Sequence, residues 1–276
     1  MSILECIIYG LISGISEFLP VSTLAHQNLL RYLFGVDTRN SLQELMVHMG
    51  IILSVFVGAR DMISRLRDEQ KSISSTRRRK NRSMKTITYY DLRLLKTASV
   101  PLLIGMLLYI VTSGYESRLL TIVLYSLLSA FILLIAEHLS RGNRDARTMT
   151  GLDGIVMGIA GALSTIPGIS RMGMISAYAT SRGADSKHVA NWATLLALPA
   201  LLFLICFDFF GIVTIGVGTI TFGAVIGYLL SGIAGFCGGY IGISIIKMVL
   251  SESGFSGFAY YSIGTALFSF ILYLIT

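Results

Sequence analysis

Residues 13–26, SGISEFLPVSTLAH, place a carboxylate, neighbouring hydroxyls and an imidazole inside an otherwise apolar part of the chain. A second polar stretch, STIPGISRMG at residues 164–173, carries an arginine in similarly apolar surroundings. An ionised side chain within a bilayer costs roughly 2.5–3.5 kcal/mol even on insertion scales, so it needs a partner or a water-filled cavity. Glu17 and Arg171 are therefore predicted to belong to a functional site.

The composition around these stretches is that of a polytopic membrane protein. The 276 residues are 54% hydrophobic and only 13% charged, and the mean hydropathy is +0.73, which excludes a large soluble domain. No basic residue precedes the first apolar run, so residues 1–35 are expected to be mature structure and not a signal peptide. The three cysteines stand singly among apolar residues, which predicts buried thiols and neither a disulfide framework nor a zinc site.

Two kinds of apolar segment follow one another along the chain. Near residue 20, and again between residues 151 and 182, glycine and proline interrupt an apolar run. These interruptions predict re-entrant segments, which enter the bilayer, break their helix and turn back. The other apolar runs are long enough to cross a bilayer and predict six transmembrane helices near residues 45–59, 100–113, 119–136, 188–207, 219–250 and 260–275.

Basic residues are concentrated between the first two predicted spans. Residues 60–96 hold twelve of the chain's 22 lysines and arginines, including the block RRRKNR at residues 77–82. Basic clusters beside spans remain on the cytoplasmic side, so this segment predicts a cytoplasmic loop in a protein of the inner (plasma) membrane. Contact with anionic lipid headgroups accounts for the net charge of +7 better than nucleic-acid binding does, and no nucleic-acid partner is predicted.

The two halves of the chain resemble each other weakly. The stretch around Pro20 and Ser22 corresponds to that around Pro167 and Ser170, at an offset of 147–148 residues. Residues 1–140 and 141–276 would each comprise one re-entrant segment and three spans, and an odd number of spans inserts the second half upside down. The predicted fold is thus one all-α membrane domain with six transmembrane helices and two re-entrant segments in an inverted-topology repeat. In this architecture Glu17 and Arg171 face each other.

The second polar stretch has the features of a phosphate-binding turn. A glycine-containing turn can present backbone N–H groups, a following helix N-terminus adds a partial positive charge, and arginine offers a planar fork for phosphate oxygens. The predicted substrate-binding residues are Pro167, Gly168, Ser170, Arg171 and Gly173.

The first polar stretch supplies groups that could carry out phosphoryl transfer. If the chain is helical from Ser22 onward, Ser22 and His26 lie four residues apart on one face with Thr23 beside them, as a hydroxyl nucleophile and its base require. Glu17, Ser22, Thr23 and His26, together with Arg171, are the predicted catalytic residues. The pattern leaves open whether Thr23, Ser22 or an activated water is the nucleophile.

These motifs resemble those of the undecaprenyl pyrophosphate phosphatase family of bacitracin-resistance membrane proteins. Its signatures read approximately E-G-x-x-E-F-L-P-[IV]-S-S-T-x-H and P-G-x-S-R-S-G, and this chain has S-G-I-S-E-F-L-P-V-S-T-L-A-H and P-G-I-S-R-M-G. The resemblance implies six spans, two re-entrant hairpins in an inverted repeat, and removal of one phosphate from a C55 polyprenyl diphosphate carrier. It also implies a divalent cation and leaves a homodimer open.

The chain departs from these signatures at Ser13, Thr23, Leu24 and Met172, where the family has glutamate, serine, threonine and serine. With one carboxylate missing at Ser13, a cation such as Mg²⁺ or Ca²⁺ would be held by Glu17 only weakly, together with the phosphates of the substrate. Two alternatives therefore stay open: a relative that binds or translocates a polyprenyl phosphate without hydrolysing it, and a transporter of another anion.

Two further polar residues lie in apolar runs outside the signatures. His48 stands in the sequence VHMG, where the family often has H-L-G, and is expected to have a structural, hydrogen-bonded role. Asp208 is expected to mark the end of a span.

Overall fold

The computed structural model describes all residues except 37, 79–89, 114–118, 140–141, 217–220, 253 and 276. Within these residues the regular structure is helical and contains no strand, which confirms the predicted all-α class. The helices in chain order are α1 Ile3–Phe18, α2 Thr23–Leu33, α3 Ser41–Gly58, α4 Arg60–Arg78, α5 Tyr90–Met106, α6 Leu108–Thr112, α7 Leu119–His138, α8 Gly151–Ala162, α9 Arg171–Ser181, α10 Ser186–Leu195, α11 Ala197–Ile215, α12 Phe222–Glu252 and α13 Ser256–Ile275.

Six helical segments of the described chain are long and apolar enough to cross a membrane. They correspond to the six predicted spans and consist of α3, α5 with α6, α7, α10 with α11, α12 and α13. The chain is thus a multi-pass membrane protein.

The prediction of a loop over residues 60–96 was wrong for its beginning and its end. Residues 60–78 form helix α4, and helix α5 already starts at Tyr90; residues 79–89 of the basic segment lie outside the described part. Helix α4 is amphipathic, because Met62 is buried and Ile63 and Leu66 pack against the core. The apolar spacing of these three residues is helical, and the density of charge on the other face concealed it.

The two segments that were predicted to be re-entrant are broken helices, and the second half of each starts after a serine N-cap. Helix α2 begins after Ser22, whose Oγ accepts the N–H of Ala25 at 3.3 Å. Helix α9 begins after Ser170, whose Oγ accepts the N–H of Gly173 at 3.0 Å. Each cap satisfies a helix-end amide that would otherwise be unpaired in an apolar environment.

The two breaks meet each other inside the protein. The N–H of Gly168 donates to Ser22 Oγ at 2.9 Å, and Ser170 Oγ donates to the carbonyl of Leu19 at 3.3 Å. The contacts are reciprocal, because each break supplies its capping serine to the backbone of the other. They position α1 and α9 so that the side chains at the break can converge.

Helix α12 holds α1 and α3 in place through very close backbone contacts. A Cβ atom on Gly10 of α1 would lie 2.0 Å from the carbonyl oxygen of Ser231, and one on Gly50 of α3 would lie 1.9 Å from that of Gly232. Only glycine permits such approaches, which small residues commonly provide between membrane helices.

Candidate active site

Glu17 and Arg171 face each other across the two breaks, as the sequence predicts. Arg171 Nη2 lies 2.6 Å from Glu17 Oε1, and both side chains are more than nine-tenths buried. Thr23 Oγ1 donates a hydrogen bond of 2.8 Å to the other carboxylate oxygen, Glu17 Oε2. The carboxylate therefore stands between a guanidinium and a hydroxyl.

This pair lines a small cavity of about 40 Å³, which has room for only a few waters. Three buried side-chain atoms in the described chain lack a hydrogen-bond partner: Glu17 Oε1, Arg171 Nε and Thr165 Oγ1. The short approach of Glu17 to Arg171 is thus a charge contact without good hydrogen-bond alignment. All three residues line the same cavity, and unsatisfied buried polar atoms that converge in one place indicate a site for a polar ligand.

Several lining residues lie outside the predicted set. Helices α2, α3 and α6 contribute Gln27, His48 and Tyr109, and the turn before α9 contributes Ser164 and Thr165. The remainder of the lining is apolar and consists of Val21, Leu24, Met106, Ile169 and Leu204. A polar centre that contains a guanidinium and is enclosed by an apolar wall suits the phosphate end of an amphiphilic ligand.

Of the predicted substrate-binding residues around the second break, only Arg171 has its side chain at the cavity. The N–H of Gly168 donates to Ser22 and the N–H of Gly173 donates to Ser170, so the amides predicted to hold phosphate are already bonded within the protein. Gly168 has a φ of +109°, which favours glycine. In this structure Pro167, Gly168, Ser170 and Gly173 build the junction that positions Arg171.

The expected contact between the Ser22 hydroxyl and the His26 imidazole is absent. His26 Nδ1 lies 2.6 Å from the backbone carbonyl of Ser22, and Nε2 lies 2.8 Å from the hydroxyl of Tyr261. Ser22 is the N-cap, with extended backbone angles, so its side chain points at the amides of α2 and not along the helix toward residue 26. His26 is not among the residues that line the cavity.

Asp208 does not mark the end of a span, because it lies well inside α11 and is fully buried. Its carboxylate forms an ion pair with Arg39, and its Oδ2 lies 2.7 Å from His48 Nδ1. The expected hydrogen bond of His48 is thus present. Its partner, however, is a carboxylate from another helix, and His48 itself lines the cavity.

Comparison with known proteins decides the family of the chain. A family model described as bacitracin resistance protein BacA matches residues 6–268. The chain belongs to this family. Among curated relatives, the undecaprenyl-diphosphatase of Prochlorococcus marinus (strain MIT 9215) is 30% identical over 73% of this chain and 74% of its own length. Undecaprenyl-diphosphatase 3 of Bacillus cereus (strain ATCC 14579) is 29% identical over 99% of this chain and 98% of its own length.

The position where the BacA signature has its first glutamate is polar but uncharged in this chain. Ser13 is fully buried, and its Oγ accepts a hydrogen bond of 3.2 Å from Gln27 Nε2. The same amide lies 3.4 Å from Glu44 Oε2, and the Tyr9 hydroxyl donates to the other carboxylate oxygen, Glu44 Oε1. A buried carboxylate is therefore present nearby, on α3, but it is already bonded to these neighbours and to Arg31 at 4.0 Å.

The side chains of the site offer few ligands for the divalent cation that the sequence resemblance implies. In the described part of the chain no three histidine, cysteine, aspartate or glutamate side chains are grouped closely enough to hold a metal. Glu17 is the one carboxylate among the cavity-lining residues, and Arg171 already neutralises it. A protein site for a hard divalent cation needs more negative oxygen ligands than one carboxylate that is paired with an arginine.

Proposed function

We propose that this chain is an integral-membrane phosphatase that removes one phosphate from undecaprenyl diphosphate and so returns the lipid carrier to envelope-glycan synthesis. Family membership supports the reaction. The observation that carries the proposal is the cavity in which a buried guanidinium, a carboxylate and hydroxyls converge with unsatisfied polar atoms. The apolar wall around this centre suits a substrate whose charged end is joined to a hydrocarbon chain.

Arg171 is the anion-binding group of this mechanism. Its unpartnered Nε and its Nη2 offer the two donors of the guanidinium fork, which match two oxygens of a phosphate. Because the cavity is small, the diphosphate must replace Glu17 as the partner of Arg171. Its arrival therefore frees the carboxylate for proton transfer.

Thr23 is the nucleophile best placed for the reaction, since its hydroxyl already donates to Glu17 at 2.8 Å. Glu17 accepts the Thr23 proton as Oγ1 forms a bond to the terminal phosphorus, and the bond from that phosphorus to the bridging oxygen breaks. Lipid monophosphate leaves. Water then attacks the phosphothreonine, inorganic phosphate is released, and Glu17 returns the proton to Thr23.

We further propose that the protein lies in the inner membrane with α4 on the cytoplasmic side. Any cation that the reaction uses arrives on the diphosphate, since the donor set does not hold one by itself. His26 fixes the start of α2, because its ring forms a hydrogen bond with the backbone carbonyl of Ser22.

The direct test is phosphate release from undecaprenyl and farnesyl diphosphates by the purified protein, with Mg²⁺ and with EDTA. Wild type should release one phosphate per lipid, and Glu17→Gln should lose at least about a hundredfold in kcat. A matched control, Glu69→Gln on α4, should retain the wild-type rate. Binding of either lipid without phosphate release in any metal condition would overturn hydrolysis in favour of a lipid-phosphate binder.

A further inference from the structure

We propose that His48 is a catalytic residue of this site and exchanges protons with the diphosphate while Asp208 holds its ring. The inference rests on the proposed phosphatase function and extends it. Helix α3, which carries His48, contributes none of the catalytic residues predicted from the signatures.

One ring nitrogen of His48 is bonded within the protein, and the residue also lines the cavity. Nδ1 lies 2.7 Å from Asp208 Oδ2, so it carries the proton that the carboxylate accepts. The other nitrogen, Nε2, is then free to accept a proton, and His48 lines the same cavity as Thr23 and Arg171. In His26, by contrast, both nitrogens have partners outside the cavity.

The charges around His48 allow it to change protonation state when substrate binds. The charged groups of the surrounding elements are Asp208 of α11, Arg39 of the segment before α3, Glu44 of α3 itself, and Glu17 and Arg171 across the cavity.

Each of these carboxylates except that of Asp208 has its own partner away from His48. Asp208 is shared between His48 and Arg39, so this one carboxylate faces two positive groups when the imidazole is protonated. A buried positive charge that is not fully balanced is costly at low dielectric. A bound diphosphate supplies the missing negative charge and favours protonation.

The protonated ring then completes the reaction sequence. As Thr23 Oγ1 bonds to phosphorus, the proton on His48 Nε2 passes to the bridging oxygen, whose bond to phosphorus breaks, and lipid monophosphate leaves. In the second half, Nε2 takes a proton from the water that attacks the phosphothreonine. Each cycle thus consumes one water and restores both His48 and Thr23.

The first test uses wild-type protein and needs no turnover. Calorimetric titration with a non-hydrolysable farnesyl bisphosphonate, in two buffers of different ionisation enthalpy, measures the protons taken up on binding. We expect an uptake approaching about one proton near neutral pH, and none in His48→Gln. Tight binding by wild type without proton uptake would overturn the role of His48 even if the enzyme hydrolyses its substrate.

The second test compares pH–rate profiles of histidine variants. Glutamine at position 48 can still donate to Asp208, so His48→Gln keeps the Arg39 ion pair intact. It should lose about a hundredfold or more in kcat with little change in KM. It should also lose the fall in kcat that wild type shows as pH rises through the range where imidazoles deprotonate. The matched control is His188→Gln, because the ring of His188 stacks on Trp192 away from the cavity. This variant should keep the wild-type kcat and its decrease with rising pH.

The outcomes separate this inference from the proposed function. Full turnover and an unchanged pH profile in His48→Gln would overturn the role of His48 alone. Loss of the alkaline fall in His26→Gln, with its retention in His48→Gln, would assign the proton to the other histidine. No phosphate release by wild type would overturn the proposed function, while the proton-uptake measurement would still decide whether His48 responds to a bound diphosphate.

Discussion

At the scale of single residues, Arg171 is the side chain whose geometry matters most. A lysine at this position keeps the charge but has no fork, so it cannot bind two phosphate oxygens in one plane. We expect Arg171→Lys to lower kcat/KM by at least about tenfold, in line with the loss of a charge-assisted hydrogen bond. The measurement is phosphate release over a range of lipid diphosphate concentrations. Arg147→Lys, at an exposed position, should leave kcat/KM unchanged, and an equally unaffected Arg171→Lys would exclude the fork as the binding element.

Ser13 tests whether a cation can be restored to the site. The carboxylate that Ser13→Glu introduces would lie four residues before Glu17, on the same helix face and beside the Gln27 amide that also contacts Glu44. The added buried charge repels both carboxylates unless a cation bridges them. We therefore expect this variant to be less thermostable than wild type in EDTA and to recover in millimolar Mg²⁺.

Ser13→Gln serves as the uncharged control, since its new side chain has nearly the same volume as that of Ser13→Glu and should not respond to Mg²⁺. If Ser13→Glu and Ser13→Gln respond alike to the metal, no cation site forms between residues 13 and 17.

Residue-level prediction succeeded where burial cost alone decides and failed where backbone geometry intervenes. Glu17 and Arg171 could be paired from sequence because two opposite charges in apolar surroundings need each other. The side-chain contact expected between Ser22 and His26 was wrong, because it requires Ser22 to lie inside the helix, and Ser22 is the N-cap of α2. His48 could be found only from the fold, since its partner Asp208 is 160 residues away in sequence.

At the scale of helices, the contact between α1 and α12 depends on glycine. Alanine at Gly10 would place its Cβ 2.0 Å from the Ser231 carbonyl oxygen, so the two helices must separate. We expect Gly10→Ala to lower the Tm of the detergent-solubilised protein by several degrees, as overpacking costs about 1–3 kcal/mol.

A glycine of α12 provides the opposite expectation. A Cβ on Gly223 would meet nothing within 4 Å, and alanine is the better helix former. Gly223→Ala should therefore leave the Tm unchanged or raise it slightly. A Gly10→Ala variant as stable as Gly223→Ala would show that α1 and α12 are not in close backbone contact.

Helix α4 is an example of an element that is difficult to predict from sequence. A high density of lysine and arginine is typical both of a cytoplasmic loop and of an amphipathic helix at a membrane interface, and only the spacing of Met62, Ile63 and Leu66 distinguishes the two. The spans were easier to predict, because a long apolar run in a bilayer must satisfy its backbone hydrogen bonds within a helix.

At the scale of the whole molecule, the chain connectivity assigns each helix end to one of two membrane faces. Lys247 Nζ donates to the carbonyl of Gly58 at 2.7 Å, which places the end of α12 beside the end of α3. Asn40 donates to Tyr228 at 3.0 Å, which places the two helix starts together on the other face. The inverted repeat itself stays a prediction, which the reciprocal contacts of the two breaks support.

The proposed orientation puts α4 in the cytoplasm, and thiol labelling in intact cells can test it. In a variant without native cysteines, Ser64→Cys lies on the exposed face of α4 and Thr221→Cys lies at the exposed start of α12, on the opposite face. Because basic residues beside spans remain cytoplasmic, a membrane-impermeant maleimide should label position 221 in intact cells and position 64 only after permeabilisation. The reverse pattern would place the basic segment outside and invert the face from which α1 enters the membrane. Labelling of both positions in intact cells, with a cytoplasmic marker protein unlabelled, would contradict the assignment of the ends of α3 and α12 to one side.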